Sequence, residues 1–290
     1  MKSLPKYFHL GLIGWPLGHS LSPLMHTAGL HEACLDGEYR LYPIPPLPEG
    51  EALLRELLGK VVSGEIQGLN VTIPHKQNIL KYLDCLSPAA SSIGAVNTIS
   101  LQNRQLTGDN TDWAGFLHDL QFQLSGRANS AAQKQALVLG AGGSARAVVY
   151  ALLQSGWQVN ITSRRLEQAQ RLAADFSTDD HPVSTFPLQQ FVNLPETTLI
   201  VNTTPVGMSP DTANSPWPVD LPFPRQAFLY DLIYNPSETA LMQSARAAGL
   251  MSVNGLGMLV EQAALAFEIW TGQPAPREVF RQAVFERKPQ

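Results

Sequence analysis

The chain has 290 residues, 44% of them hydrophobic and only 15% charged, which is enough for two ordinary domains with buried cores. A net charge of −4, with Lys and Arg scattered through the sequence, gives no electrostatic basis for binding nucleic acid or an anionic membrane surface. Cys34 and Cys85 form no CxxC and no His/Cys cluster has metal-ligand spacing, so free buried thiols in a reducing, cytoplasmic setting are expected and no metal site. No run approaches the roughly 18 apolar residues of a membrane span. The first residues, Met1 to Lys6, hold no apolar stretch long enough for a signal core.

Short apolar strands alternate with helical stretches. His9–Ile13 reads as a strand and Pro23–Ala33 as a helix capped by Ser22. Tyr39–Ile44 reads as extended, Glu49–Leu58 as helical, Gly68–Ile73 as extended, His75–Leu83 as helical, and Ala95–Leu101 as a strand. Thr111–Leu124 has a helical pattern, and the small polar stretch Ser125–Gln135 reads as a loop or domain edge. A second series begins with a strand at Ala136–Leu139. A glycine turn follows, then a helix to Ser155, a strand at Trp157–Thr162 and a helix at Arg165–Ala174. Leu199–Asn202 and Phe228–Asp231 are short buried strands, separated by a proline-dense loop. Met258–Trp270 and Arg277–Arg287 close the chain as helices. The alternation predicts an α/β protein of two domains, each a mostly parallel sheet with covering helices.

Gly140-Ala141-Gly142-Gly143-Ser144-Ala145 matches G-x-G-x-x-G/A between a strand and a helix. Gly140 permits the tight turn, Gly142 admits a pyrophosphate to the backbone, and Ala145 keeps helix and sheet close. The helix N-terminus supplies free N–H groups and a favourable dipole for the anion. Such turns also occur without ligands, so the strand–turn–helix context carries the reading. NAD-selective sites usually place an acid about 20 residues on; here the second strand ends in Ser163-Arg164-Arg165. Guanidinium pairs with a 2′-phosphate that an acid would repel, so NADP is the expected cofactor. The alternative is a solvated helix start.

In the first half, Lys76 lies just past a proline-broken strand, in Asn70-Val71-Thr72-Ile73-Pro74-His75-Lys76, and Asp112 ends the polar run Gly108-Asp109-Asn110-Thr111-Asp112. Brought together, they form a cation–carboxylate pair able to move a proton. Ser20 and Ser22 place two hydroxyls two residues apart; Ser22 as a helix cap and Ser22 as a ligand contact are compatible readings. Thr72 and Asn97 are polar groups at strand ends, where open α/β sheets bind ligands. His19 reads as structural. Met258 and Gln262 are four apart and share a helix face.

Taken in order, the motifs at Gly14–Pro23, Asn70–Lys76, Gly94–Thr98, Gly108–Asp112, Gly140–Arg146, Asn202–Met208, Tyr234–Pro236 and Asn254–Gln262 resemble the shikimate dehydrogenase family nearly end to end. The resemblance implies NADPH-linked, reversible reduction of 3-dehydroshikimate to shikimate. It implies an N-terminal substrate-binding and catalytic domain (1–112 plus 256–290), to which the C-terminal helices return, and a Rossmann-type NADP-binding domain (113–255). Ser20 and Ser22 would hold the substrate carboxylate. Thr72, Lys76, Asn97 and Asp112 would meet ring hydroxyls or the reacting oxygen, with Tyr234 and Gln262 closing the far side. Gly140, Ala141, Gly142, Gly143 and Ser144 would hold pyrophosphate. Ser163, Arg164, Arg165 and Gln168 would line the 2′-phosphate, and Leu232, Gly255 and Met258 the nicotinamide. Two departures stand out: Ser163-Arg164-Arg165 replaces the family's common Asn-Arg-Thr, and Gln168 replaces a basic residue. Pro88, an acid in some members, receives no cofactor role. A small-molecule substrate is the expected partner, with a homodimer as the assembly to test. A quinate/shikimate dehydrogenase with relaxed cofactor use, a catalytically silent dinucleotide-binding regulator and a folate-linked dehydrogenase are the rival readings.

Overall fold

The structure, a computed structural model, describes residues 5, 7–125, 134–187 and 196–285. The predicted loop over Ser125–Gln135 and the last turn of the final helix lie largely outside them. The chain divides into two compact units, residues 1–115 with 259–290 and residues 116–258. Both boundaries fall inside helices, Asp112–Leu124 and Leu256–Thr271.

The first unit is built on a six-stranded sheet. Its strands are β1 (Phe8–Gly14), β2 (Gly37–Pro43), β3 (Gly68–Val71), β4 (Cys85–Leu86), β5 (Thr98–Gln102) and β6 (Gln105–Asp109), in the order β2-β1-β3-β5-β6-β4. β1 pairs in parallel with β2 and β3, and β4 with β6, whereas β5 is antiparallel to both β3 and β6. The β5–β6 hairpin turns at Asn103 and Arg104, both in the left-handed region (φ 50° and 66°). Sequence pattern gave no warning of β6, because its alternation runs only over Gln105–Asp109.

Helix α1 (Ser22–Glu32) corrects the expected cap. Leu21 precedes the helix in a right-handed conformation, and Ser22 is itself the first helical residue, so its side chain caps nothing. α2 (Glu51–Val62) places Leu54, Leu57, Leu58 and Val61 on one stripe against Ile13, Leu69, Val71, Ile99 and Leu106. Each such buried side chain contributes about 2 kcal/mol of apolar burial. The helix expected over His75–Leu83 is only a 3₁₀ turn, Asn78–Tyr82. The chain folds back instead: His75 N–H bonds to the Thr72 carbonyl, and the His75 ring is tied to the Ile44 carbonyl at 2.8 Å. A short helix, α3 (Pro88–Ile93), is capped by Ser87, whose Oγ accepts from Ala90 N–H. Pro88 therefore starts a helix.

The next helices are α4 (Asp112–Leu124), α5 (Gly143–Gln154), α6 (Leu166–Phe176), α7 (Ala240–Ala247), α8 (Leu256–Thr271) and α9 (Arg277–Phe285). In the first unit the other sheet face meets α1, the end of α8 and α9. Trp270 Nε1 donates to the Ile99 carbonyl at 3.0 Å, and a side chain on Gly68 would sit 2.2 Å from the Trp270 ring. Gly29 meets Phe280 equally closely.

The second unit contains β7 (Gln135–Leu139), β8 (Gln158–Thr162), β9 (Ser184–Thr185), β10 (Leu199–Asn202), β11 (Phe228–Asp231) and β12 (Met251–Val253). Every pairing is parallel, in the order β12-β11-β10-β7-β8-β9. Counted from its first strand this is 3-2-1-4-5-6, the doubly wound order that reverses at the first strand, where dinucleotides bind outside the strand ends. β7, β10 and β11 are buried on both faces, which explains their continuous apolar runs.

Candidate active site

Lys76 and Asp112, 36 positions apart in the chain, meet within the first unit: Lys76 Nζ lies 2.6 Å from Asp112 Oδ2. Their side chains are 12% and 6% exposed, so little solvent screens the pair. Backbone pairing sets the approach. The Val96 N–H donates to the Lys76 carbonyl, and Asn97 N–H to the Asp109 carbonyl, which brings the turn after β3 and the end of β6 to one edge.

Asn97 is the hub. Its Nδ2 donates to Asp112 Oδ1 and Thr111 Oγ1, each at 2.9 Å, and lies 3.4 Å from Gln262 Oε1. Its Oδ1 accepts from Thr111 N–H at 2.7 Å and from the Thr98 hydroxyl at 3.0 Å. Because the Thr111 main chain can only donate, it fixes which end of the amide faces Asp112. Thr111 Oγ1 in turn donates to the Gln262 carbonyl at 3.0 Å, so α8 is tied to the same cluster. Gly115 allows this approach: a side chain there would meet the Gln262 backbone N at 2.7 Å.

Thr72 stands half-buried at the end of β3, with its hydroxyl unbonded among the described residues. Ser20 is half-buried and Ser22 buried; Ser22 N–H donates to Ser20 Oγ at 3.3 Å. His19 is exposed, and among the described residues no hydrogen bond or ion pair gives it a role. Sequence reasoning passed over Thr111, Thr98, Asn70 and Tyr39. The available signal was polarity inside strands that are otherwise apolar, most clearly Asn70 within Gly-Leu-Asn-Val.

In the second unit the glycine turn takes the form a bound anion needs. Gly140 has φ +112°, closed to other residues, and a side chain there would strike Thr203 Oγ1 at 2.5 Å. Gly142 precedes α5 without a side-chain cap, and a Cβ on it would meet nothing within 4 Å. Among the described residues no side chain caps this twelve-residue helix, so its first N–H groups stand beside open space. Arg164 and Arg165 are exposed, with no carboxylate partner among the described residues, and Ser163 Oγ accepts from Arg165 N–H at 3.3 Å. Gln168 is half-buried one turn on. This set fits a dinucleotide carrying an extra phosphate on its adenosine ribose.

At the other strand ends Asn202 Nδ2 donates to Asp231 Oδ1 at 2.9 Å, and Thr239 Oγ1 to Asp231 Oδ2 at 2.7 Å. Burial pushes the Asp231 carboxyl above its usual range, against hydrogen bonds from Thr239, Ile233 N–H and Asn202. The cluster fixes the start of the segment carrying Leu232 and Tyr234. A side chain on Gly255 would meet the Leu232 carbonyl at 2.1 Å, so the two backbones touch, and Met258 is buried in the first turn of α8. Asn254 Oδ1 accepts from Leu256 N–H at 3.1 Å and starts that helix.

Residues 12–99 match the shikimate dehydrogenase substrate binding domain, 123–225 the shikimate/quinate 5-dehydrogenase family and 255–285 the shikimate 5′-dehydrogenase C-terminal domain. The chain belongs to the shikimate dehydrogenase family. A shikimate dehydrogenase (NADP(+)) from Shouchella clausii is 41% identical over 279 residues, covering 94% of this chain and 96% of its own. A shikimate 5-dehydrogenase from Thermus thermophilus, solved with NADP(H) and shikimate, superposes with a TM-score of 0.81 at 37% identity, over 95% of this chain and 98% of that one. A quinate dehydrogenase from Corynebacterium glutamicum, solved with NAD, gives a TM-score of 0.85 at 30% identity, over 97% and 99%.

Proposed function

We propose that the protein reduces 3-dehydroshikimate to shikimate reversibly with NADPH, and that Lys76 and Asp112 handle the proton. The observation that carries this reading is the buried 2.6 Å pair, held by Asn97 and tied to α8 through Thr111. A regulator that only senses a dinucleotide has no use for such a pair.

NADPH, when bound, supplies the hydride that adds to the substrate's ketone carbon. As charge develops on the ketone oxygen, the Lys76 ammonium stabilises it and delivers a proton. Asp112 aims the ammonium, and Asn97 keeps the carboxylate from rotating. In the reverse direction the pair accepts the hydroxyl proton. Ser20 and Ser22 hold the substrate carboxylate in this proposal, Thr72 and Gln262 the ring hydroxyls, and Tyr234 a further edge. Gly140 to Ser144 hold pyrophosphate over the α5 N-terminus; Ser163, Arg164, Arg165 and Gln168 meet the 2′-phosphate; Leu232, Gly255 and Met258 line the nicotinamide. The unit comprising 1–115 and 259–290 is then the substrate and catalytic domain, and 116–258 the NADP domain. A cytoplasmic location and a homodimer belong to the same proposal; the location is suggested by the free thiols, which are not buried as expected, Cys34 being exposed and Cys85 half-buried.

The test is absorbance of reduced nicotinamide on mixing protein with shikimate and NADP. Running shikimate and quinate, each with NAD and NADP, separates this reading from a quinate-preferring enzyme. Fast turnover only with quinate and NAD would replace it, and silence in all four would return the regulator.

A further inference from the structure

The sheet of the first unit contains a row of polar side chains for which the proposed mechanism has no direct use. Asn70 on β3 lies opposite Thr98 on β5, and both are buried. Tyr39 on β2 reaches across β1 toward them and is 7% exposed. Its hydroxyl donates to Asn70 Oδ1 at 2.8 Å. Asn70 Nδ2 donates to Thr98 Oγ1 at 3.2 Å and to the Asn97 carbonyl at 3.1 Å. The Thr98 hydroxyl donates to Asn97 Oδ1, and Asn97 Nδ2 donates to Asp112 Oδ1.

Two main-chain groups orient the two amides: the Thr111 N–H faces Asn97 Oδ1 and the Asn97 carbonyl faces Asn70 Nδ2. Thr111 N–H fixes Oδ1 of Asn97, and the Thr98 hydroxyl donates to that oxygen at 3.0 Å, nearer than Thr111 Oγ1 at 3.4 Å. Thr98 oxygen then faces a donor, which fixes Nδ2 of Asn70 and turns Oδ1 of Asn70 toward Tyr39. The Tyr39 ring is clamped as well, stacked on His26 at 4.4 Å with 4° between the planes. Asn70 is thus held from both ends, its Nδ2 by the Asn97 carbonyl and its Oδ1 by the Tyr39 hydroxyl.

We propose that Tyr39, Asn70 and Thr98 are positioning residues, a one-way hydrogen-bond relay that locks the Asn97 amide and through it the Asp112 oxygen facing away from Lys76. The inference rests on the reading that Lys76 and Asp112 carry the proton transfer. Without the Tyr39 hydroxyl, Asn70 Oδ1 loses its donor in a dry site, and the amide shifts from the position in which Nδ2 meets Thr98 and the Asn97 carbonyl. Thr98 Oγ1 is then held less firmly where it donates to Asn97 Oδ1, and one of the donors that hold the Asn97 amide is loosened. The carboxylate loses its fixed orientation, and misplacement at a reacting centre costs rate steeply.

The experiment measures NADP-linked shikimate oxidation by Tyr39→Phe, Thr98→Val and Thr98→Ser, alone and combined with Asp112→Asn. Tyr39→Phe and Thr98→Val are expected to lower kcat about tenfold with KM for both substrates within about twofold, and Thr98→Ser to restore most of the rate. On an Asp112→Asn background Tyr39→Phe is expected to add no further loss, because its effect passes through that carboxylate. Additive losses, or a Thr98→Val enzyme as fast as the wild type, overturn the relay. Thr98→Val keeps the β-branched shape, so the test survives a poorly folded Tyr39→Phe. An inactive wild type would instead refute the reading of Lys76 and Asp112, which is a separate outcome.

Discussion

Acid should unfold this protein through His26, and the size of the effect follows from where the ring sits. His26 is wholly buried, stacked on Tyr39, with Trp270 and Phe280 at 5.3 and 5.6 Å. Among the described residues neither ring nitrogen has a hydrogen bond of acceptable geometry. Burial pushes its pKa down from 6.5 to about 3, against a weaker opposing pull from the Asn70 amide. In the unfolded chain the same ring takes up a proton as pH falls through 6.5. Between those two values the unfolded state binds the extra proton, so stability falls with falling pH and is flat above about 6.5. Each unit below 6.5 costs roughly 1.4 kcal/mol, which is roughly 2 kcal/mol at pH 5 and approaches 5 kcal/mol near pH 3. His26→Leu removes this titration. At pH 7.5 the variant loses the ring stack, about 1 kcal/mol, but no longer buries two unpartnered nitrogens, so the two chains are expected to be close in stability. Urea denaturation at constant ionic strength, at pH 7.5, 6.5, 5.5 and 5.0, gives the difference between wild type and variant. That difference should move by about 2 kcal/mol in favour of the variant across the range. A difference constant to within about 0.5 kcal/mol would refute the assignment of a neutral, desolvated ring.

Lys76→Ala should reduce turnover by about 10² to 10⁴ in steady-state assays, while fluorescence titration shows NADPH affinity almost unchanged; a loss under about tenfold would remove Lys76 from the chemistry. Asp112→Asn should lower turnover and also weaken substrate binding, since the same carboxylate orients Lys76 and faces Asn97. Replacing Arg164 and Arg165 together with Ala should raise KM for NADP at least about tenfold and leave NAD kinetics alone, because only the 2′-phosphate loses charge-assisted bonds; equal effects on both cofactors would make these arginines mere solvated surface. Gly68→Ala should destabilise the first unit by about 3 kcal/mol in calorimetry or urea melts, since the new Cβ would lie 2.2 Å from the Trp270 indole. Part of that loss should return in a Gly68→Ala, Trp270→Leu double variant.

Local pattern alone reached a good share of this molecule. The apolar runs Leu137-Val138-Leu139, Leu199–Asn202 and Phe228–Asp231 are strands because a parallel sheet covered on both faces leaves no polar position to break them. Gly140 in a left-handed turn between strand and helix is equally local. Where pattern misled, a longer-range contact had taken over. The turn over His75–Leu83 looks helical by period, yet the His75 ring is drawn to Ile44, 31 residues away, and only a 3₁₀ turn remains. Ser22 is a local exception: it looks like a cap, but the right-handed Leu21 already begins the turn.

The residue types needed for proton transfer, a lone lysine after a broken strand and an aspartate at a helix start, were fixed by sequence. Their meeting was not. A 2.6 Å contact between positions 76 and 112 depends on β5 running antiparallel between β3 and β6, so that Asn97 sits between the two chain ends. The same pairing lines up Asn70 with Thr98 and turns two ordinary buried polar residues into neighbours of the site. Sequence records which groups are present because composition is local. Tertiary structure decides which of them share a hydrogen bond, because that depends on strand order and register.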